Sequence, residues 1–221
     1  MAFRLAVLVS GSGSNLQAII DKLHTAPPSV ERAAVEVGLV ISNVPGVLAL
    51  DRARAADIPT AVFRLEDYAD RGSRDLAMAD AIVAAGCELV VLAGYMHILT
   101  PEFLERFPYR IINLHPALLP SFPGTHAIDD AISYGVKVTG VTVHFVDEGM
   151  DSGPVIAQRP IAVFDDDTVD SLADRIHAAE HVVLPEVVEM IAGGSVMPPG
   201  PGSRCVRTGS GSVSLGFTTT E

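Results

Sequence analysis

The residues with chemical potential cluster in one stretch, Ile111-Ile112-Asn113-Leu114-His115-Pro116-Ala117-Leu118-Leu119-Pro120-Ser121-Phe122-Pro123-Gly124. It starts as an apolar run and breaks into a proline-rich loop. Side chains two apart on a strand point the same way, so Asn113 and His115 share a face. Pro116 cannot donate to a sheet ladder and pushes His115 toward extended backbone. A strand is therefore expected to end there, with a carboxamide and an imidazole at its C-terminal edge, where open α/β sheets bind ligands. A neutral amide donor beside a titratable ring suits a reaction that builds negative charge on an oxygen. Further on, Asp151 sits between Gly149 and Gly153. Alone, such an Asp reads as a turn former. Reaching the imidazole, its carboxylate would orient the ring and favour the cation.

A second group is Ser10-Gly11-Ser12-Gly13-Ser14-Asn15, placed between an apolar strand pattern and a helical one. Successive backbone N–H groups and a helix N-terminus there form an anion cradle, with phosphate the usual guest. The loop lacks the Gly-Lys-Thr of a Walker motif. It also fails as a GxGxxG fingerprint, because Leu16 stands where the third glycine belongs. Both departures favour a monophosphate over a nucleoside triphosphate or dinucleotide. His144 shares a strand face with Thr142 and reads as a packed histidine supporting its neighbours. Met96 to Leu99 follow a buried strand and suit the wall of an apolar pocket or simple core. Glu180 and His181 lie mid-helix, where a solvated face is the default.

These groups must be held by a framework, and the composition bounds it. At 221 residues the chain fits one domain with a sizeable core. A net charge of -12 argues against sequence-independent binding to nucleic acid or anionic membrane. No apolar run is long enough to cross a bilayer. Met1 to Val9 has no basic n-region and no small-residue cleavage site, so no signal peptide is expected. Cys87 and Cys205 have no metal-type spacing, and a reduced, cytoplasmic setting is the simplest account. The His, Cys and Asp spacing offers no closed ligand set, so no metal is expected.

Strand and helix patterns alternate through the first half. Strands are expected at 3–9, 35–41, 61–63, 88–93 and 111–114, and helices at 15–23, 47–56, 73–85 and 101–106. That order predicts an α/β fold: a mostly parallel twisted sheet with helices on both faces. After a short helix at 126–134, the runs 138–146 and 154–163 are close enough for an antiparallel hairpin. Asp167-Thr168 caps a long helix that Pro185 should kink rather than end. Residues 1–192 form the expected domain. Residues 193–221, rich in Gly, Ser, Pro and Thr, read as a flexible or loosely packed tail, with 213–217 able to add an edge strand.

Taken together, SGSGSNLQAII, AGYMHIL, INLHPALLPSFPG, HFVDEGMDSGPVI and AEHVVLP, in that order, resemble the folate-dependent phosphoribosylglycinamide formyltransferases of purine (IMP) synthesis. The resemblance runs from about Phe3 to about Met190. It implies transfer of a formyl group from 10-formyltetrahydrofolate to the amine of 5-phosphoribosylglycinamide. It implies catalytic roles for Asn113, His115 and Asp151, phosphate binding by Gly13, Ser14 and Asn15, and contact of Glu180 with the glycinamide. Met96, His97, Ile98 and Leu99, with Asp147, Glu148, Gly149, Met150 and Asp151, would line the pterin pocket beside Asn113. Arg71 is the best match to a folate-contacting arginine, with Arg64 a weaker one. His97 stands where many members carry Arg, and the family's C-terminal sequence is not recognisable after Gly193. Two rivals remain: a formyltetrahydrofolate hydrolase, and a non-catalytic phosphosugar- or folate-binding protein. The expected partners are the two small molecules, with no nucleic acid and no membrane, in a monomer or homodimer.

Overall fold

Leu5, Val7 and Val9 of β1 (Phe3–Val9) join one apolar cluster and Ala6 and Leu8 join another, and all five are fully buried. A strand apolar on both sides needs cover on both sides. The computed structural model, which describes residues 2–25, 33–200 and 202–209, supplies it. The first cluster is closed by α1 (Ser14–Ile19), α2 (Leu48–Ala55) and α6 (Val169–Ala192), through Leu16, Ile19, Leu50, Leu172, Ile176 and Val183. The second is closed by α3 (Arg71–Ala84) and α4 (Pro101–Arg106), through Met78, Ala79, Ile82 and Phe103.

The remaining strands are β2 (Val35–Ser42), β3 (Thr60–Val62), β4 (Leu89–Leu92), β5 (Ile111–His115), β6 (Val138–Phe145) and β7 (Val155–Ala162). They form one seven-stranded sheet in the order β3-β2-β1-β4-β5-β6-β7. Pairing is parallel up to β5, then antiparallel for β5/β6 and β6/β7, as the sequence patterns predict. Chain order reverses between β1 and β4, so a crevice opens beyond the C-terminal ends of these strands. The loops after β1, β4 and β5 all run into it.

Several boundaries differ from the sequence expectation, each for a local reason. The expected 15–23 helix is α-helical only to Ile19 and widens into a π-helical stretch, Ile20–His24. That stretch delivers His24 Nδ1 to the backbone N–H of Val37, at 3.1 Å. The β1/β2 register slips beside it, where Ala6 pairs with Leu39 rather than with Gly38. α3 begins two residues early because Asp70 caps it, accepting from Ser73 N at 2.7 Å. α6 is capped by Thr168 and passes through Pro185 without ending. α5 (Ala127–Tyr134) begins one residue later than expected.

Beyond Ala192, β8 (Val196–Met197) pairs with β9 (Arg207–Thr208). Val196 and Val206 pack on the first core cluster, and Pro199 is buried. The strand expected at 213–217 lies outside the described residues. Among the described residues no helix is long and apolar enough to cross a membrane.

Candidate active site

Strand β5 ends at His115, and its antiparallel register sets Asn113 opposite His144 and His115 opposite Thr142. The 147–153 turn then folds back over this edge. Asp147 Oδ1 accepts from Ser152 Oγ at 2.6 Å and from Gly149 N at 3.2 Å, which shapes the turn. Asp151 adopts a positive φ of 49°, a region Asp tolerates better than most residues. A Cβ at Gly153 would lie 1.7 Å from Phe145 O, so that position must be glycine.

The turn brings Asp151 to both strand residues. Its Oδ2 lies 3.4 Å from His115 Nδ1 and accepts from Gly124 N at 2.8 Å. Its Oδ1 accepts from Asn113 Nδ2 at 3.3 Å. His115 Nε2 faces Phe122 O at 2.8 Å. His115 thus sits with Nε2 against a backbone carbonyl and Nδ1 within ion-pair range of the Asp151 carboxylate. His144 Nδ1 faces Phe145 O at 2.8 Å, so its proton sits there and Nε2 is left to accept. Asn113 Nδ2 donates to it at 3.2 Å. Both hydrogens of the Asn113 amide are thus engaged, one by His144 and one by Asp151. Burial pushes the His144 imidazole below its ordinary range, which keeps it a neutral acceptor.

Asn113, His115, His144 and Asp151 line a cavity of about 230 Å³, walled by Met96, His97, Ile98, Leu99, Val146 and Met150. Asp147 and Gly149 also line it, while Glu148 lies outside the lining. Arg71 is exposed at the start of α3 and lines neither this cavity nor its neighbour, although its charge reaches His97. Arg64 is taken up by Glu66 and Asp67, at 2.8 and 2.7 Å.

A second cavity, about 360 Å³, is lined by Ser10 to Asn15, His177 and Glu180. Gly94, Met96, Leu114 and Pro116 line both, so the two cavities share a wall at the tip of β5. Gly13 caps α1 with φ +71°, and a Cβ there would meet Ala49 Cβ at 2.6 Å. Only glycine lets the loop turn this tightly against α2. Asn15 Nδ2 donates to Glu180 Oε2 at 2.9 Å, while Asn15 Oδ1 is buried with no partner. Burial pushes the Glu180 carboxyl above its ordinary range, offset in part by the Asn15 hydrogen bond and by His177. Glu180 is therefore not on a solvated face, whereas His181 is half-buried outside the lining of both cavities.

Two residues of this region escaped the sequence reading. His177 precedes Glu180 by three and so shares its helix face, a spacing that could have exposed it. Arg74 is fully buried and its Nη1 lies 2.7 Å from His97 Nδ1. A lone arginine inside a helix gave no comparable signal. Among the described residues no group of three or more His, Cys, Asp or Glu could hold a metal ion.

The sheet order defines a doubly wound α/β protein with two adjoining cavities at its switch point, the place where such folds bind ligands. Residues 3–188 match the family described as formyl transferase, and the chain belongs to it. It is 44% identical over 189 residues to a phosphoribosylglycinamide formyltransferase of Mycobacterium tuberculosis, covering 86% of this chain and 85% of the relative. It is 43% identical over 194 residues to the trifunctional purine biosynthetic protein adenosine-3 of Drosophila melanogaster. That match covers 88% of this chain but only 14% of the longer protein, so the chain spans a small part of such relatives. The crystal structure of glycinamide ribonucleotide transformylase 1 from Symbiobacterium toebii superposes with a TM-score of 0.86 at 40% identity, covering 94% of each chain.

Proposed function

We propose that the protein transfers a formyl group from 10-formyltetrahydrofolate to the primary amine of 5-phosphoribosylglycinamide, a step of IMP synthesis in the cytoplasm. One observation carries this reading. The Asn113–His115–Asp151 cluster opens onto a cavity that shares a wall with the glycine-loop cavity, so two substrates can meet at the tip of β5. Residues 1–192 are the catalytic unit in this reading.

The lining suits both molecules. The pterin of the folate, polar along its edge, belongs in the first cavity with its faces against Met96, Ile98, Leu99 and Met150. The phosphate belongs on the backbone N–H groups of Gly13, Ser14 and Asn15 at the α1 N-terminus. The glycinamide end then reaches Glu180 and the unpartnered Asn15 Oδ1.

The amine attacks the formyl carbon directly. A C–N bond forms, the carbonyl pair moves onto oxygen, and the bond to the folate nitrogen then breaks. As negative charge develops on that oxygen, Asn113 redirects to it the N–H hydrogen bond that it gives Asp151 in the free enzyme. His144 retains the other amide hydrogen and keeps the carboxamide in place. The freed Asp151 oxygen accepts the amine proton through water and returns it to the leaving nitrogen. His115, held by the Phe122 carbonyl and beside Asp151, stabilises the alkoxide or supplies it a proton. No step requires a metal.

A direct assay tests the reading. Deformylated folate is followed from 10-formyltetrahydrofolate with and without 5-phosphoribosylglycinamide. Release only with the amine supports formyl transfer. Release without it indicates a hydrolase, and binding without release indicates a non-catalytic binder.

A further inference from the structure

Arg74 has no exposed surface, and a buried guanidinium needs partners for its donors. Its Nε and Nη2 reach Asp75 Oδ1 at 2.9 and 2.6 Å, and its Nη1 lies 2.7 Å from His97 Nδ1. Asp75 Oδ2 accepts from Thr100 N at 2.9 Å. Two adjacent α3 residues therefore grip both ends of the 97–100 segment. On the other side of the imidazole, His97 Nε2 lies 3.1 Å from Asn43 Nδ2. Asn43 Oδ1 lies 2.6 Å from Ser10 Oγ, which also accepts from Met96 N at 3.0 Å. A polar chain thus runs from the interior through His97, on the wall of one cavity, to Ser10, on the wall of the other.

Donor counting fixes the protons along it. Arginine only donates, so His97 Nδ1 must accept and carries no hydrogen. The ring is then neutral with its proton on Nε2, and Nε2 needs an acceptor. Carboxamide oxygen and nitrogen are assigned from their partners. Turning the Asn43 oxygen toward His97 gives every contact one donor and one acceptor. The groups around the ring agree. Burial opposes its protonation most, Arg74 and Arg71 add to that, and only Asp75 favours it. Asn43 and the tilted Tyr95 ring, whose centroid lies 5.9 Å away, complete the surroundings.

We propose that Arg74 is a positioning residue: it locks His97 as the neutral Nε2–H tautomer and so sets the Met96–Leu99 wall relative to the Ser10 loop. Its kinetic consequence rests on the formyl-transfer reading. Arg74 touches no reacting atom, so its loss should act on formyl-folate KM rather than on turnover.

Nitrogen-15 histidine NMR of the intact protein, with His97 assigned by its absence in His97→Gln, is the first test. The expected result is an unprotonated Nδ1 and a protonated Nε2 at neutral pH, persisting below the midpoint of an ordinary imidazole, about 6.5. A proton on Nδ1, or titration like a free imidazole, would overturn the proposal. In Arg74→Met the His97 ring should protonate at a higher pH than in wild type and lose its fixed tautomer, and Arg74→Lys, which keeps a donor, should restore the lock. Formyl-folate KM should rise about fivefold in Arg74→Met, with kcat within about twofold. Because Arg74→Met strands the Asp75 carboxylate and can unfold the chain, Asn43→Leu is the second variant. It cuts the polar chain beyond His97 and leaves the Arg74–Asp75 pair intact. Its expected result is an unchanged tautomer with a raised KM, and an unchanged KM would refute the link to the Ser10 loop. The NMR readout needs no turnover, so failure of the formyl-transfer reading would leave the tautomer result to stand or fall alone.

Discussion

Asn15, in the first turn of α1, donates its side-chain amide to Glu180 of α6 at 2.9 Å, across a sequence separation of 165. The bond joins the glycine-rich loop to the last long helix and makes one wall of the second cavity. It also leaves a carboxyl group buried, with the Asn15 hydrogen bond and His177 offsetting that burial only in part.

Glu180→Gln should therefore show its effect in two places. Glu180 has a folded pKa above the ordinary value of 4.5, so the folded chain holds this proton longer than the unfolded one. Its stabilising contribution is present below that ordinary value and is lost as pH rises through the raised one. Glutamine cannot ionise and lacks this decline. In urea unfolding, wild type should lose stability relative to Glu180→Gln as pH rises from about 4 to about 7. A difference that does not change with pH would contradict the buried carboxyl. The same variant should raise the KM for 5-phosphoribosylglycinamide by about tenfold or more, the usual scale for a lost hydrogen bond to a charged group.

Asp151→Asn separates charge from backbone. Asparagine accepts the positive φ that Asp151 adopts, so the turn should keep its shape. The chemistry should not survive, because Asp151 Oδ1 and Oδ2 both face N–H donors. A carboxamide can accept on only one side. Turnover should fall on the order of a hundredfold or more. The melting temperature should shift by about 2–4 °C, the response to roughly 1 kcal/mol in a chain of this size. Turnover near wild type would remove Asp151 from the mechanism.

His144→Gln tests the support behind Asn113. Burial holds the His144 imidazole below its ordinary value of 6.5, so the unfolded chain binds this proton more readily than the folded one. Wild type should therefore lose stability relative to His144→Gln as pH falls below about 6.5. With the Asn113 amide less firmly held, kcat should drop about fivefold at neutral pH while both KM values change little. A rise in KM with unchanged kcat would mean that His144 serves binding instead.

Much of this site was legible because its parts are local. Asn113 and His115 are two apart on one strand, and Pro116 marks where that strand stops. The glycine loop sits directly between β1 and α1. What the sequence hid depends on long-range packing. Nothing near Arg74 announces that α3 will place it against His97, or that Glu180 will face Asn15 rather than solvent. The tail is a similar case. Its Gly, Ser, Pro and Thr content reads as flexible or loosely packed, and the structure adds particular contacts: Val196 and Val206 pack on the core and Arg204 donates to the Ser152 carbonyl beside Asp151. Two valines among small residues are too sparse a pattern to reveal such docking. Arg71 matches a family position, yet that match alone does not tell how far its side chain stands from the cavity lining.

The glycine loop offers a test in which two physical effects can be told apart. Gly11 and Gly13 both line the second cavity, but only Gly13 has a positive φ, +71°. A Cβ at Gly11 meets nothing within 4 Å, whereas one at Gly13 lies 2.6 Å from Ala49 Cβ and 2.8 Å from Ala49 Cα. Gly11→Ala should leave the melting temperature within about 2 °C of wild type, as for a substitution away from strained or packed features. Gly13→Ala carries backbone strain of about 1–3 kcal/mol plus the clash. It should lower the melting temperature by at least several degrees and weaken binding of the phosphorylated substrate. Adding Ala49→Gly removes the side-chain clash but leaves the strain and the close approach to the α2 backbone, so it should recover only part of the loss. Full recovery would mean that side-chain crowding, not conformation, demands glycine at position 13. No recovery would mean that the left-handed turn or the backbone approach to α2 alone demands it.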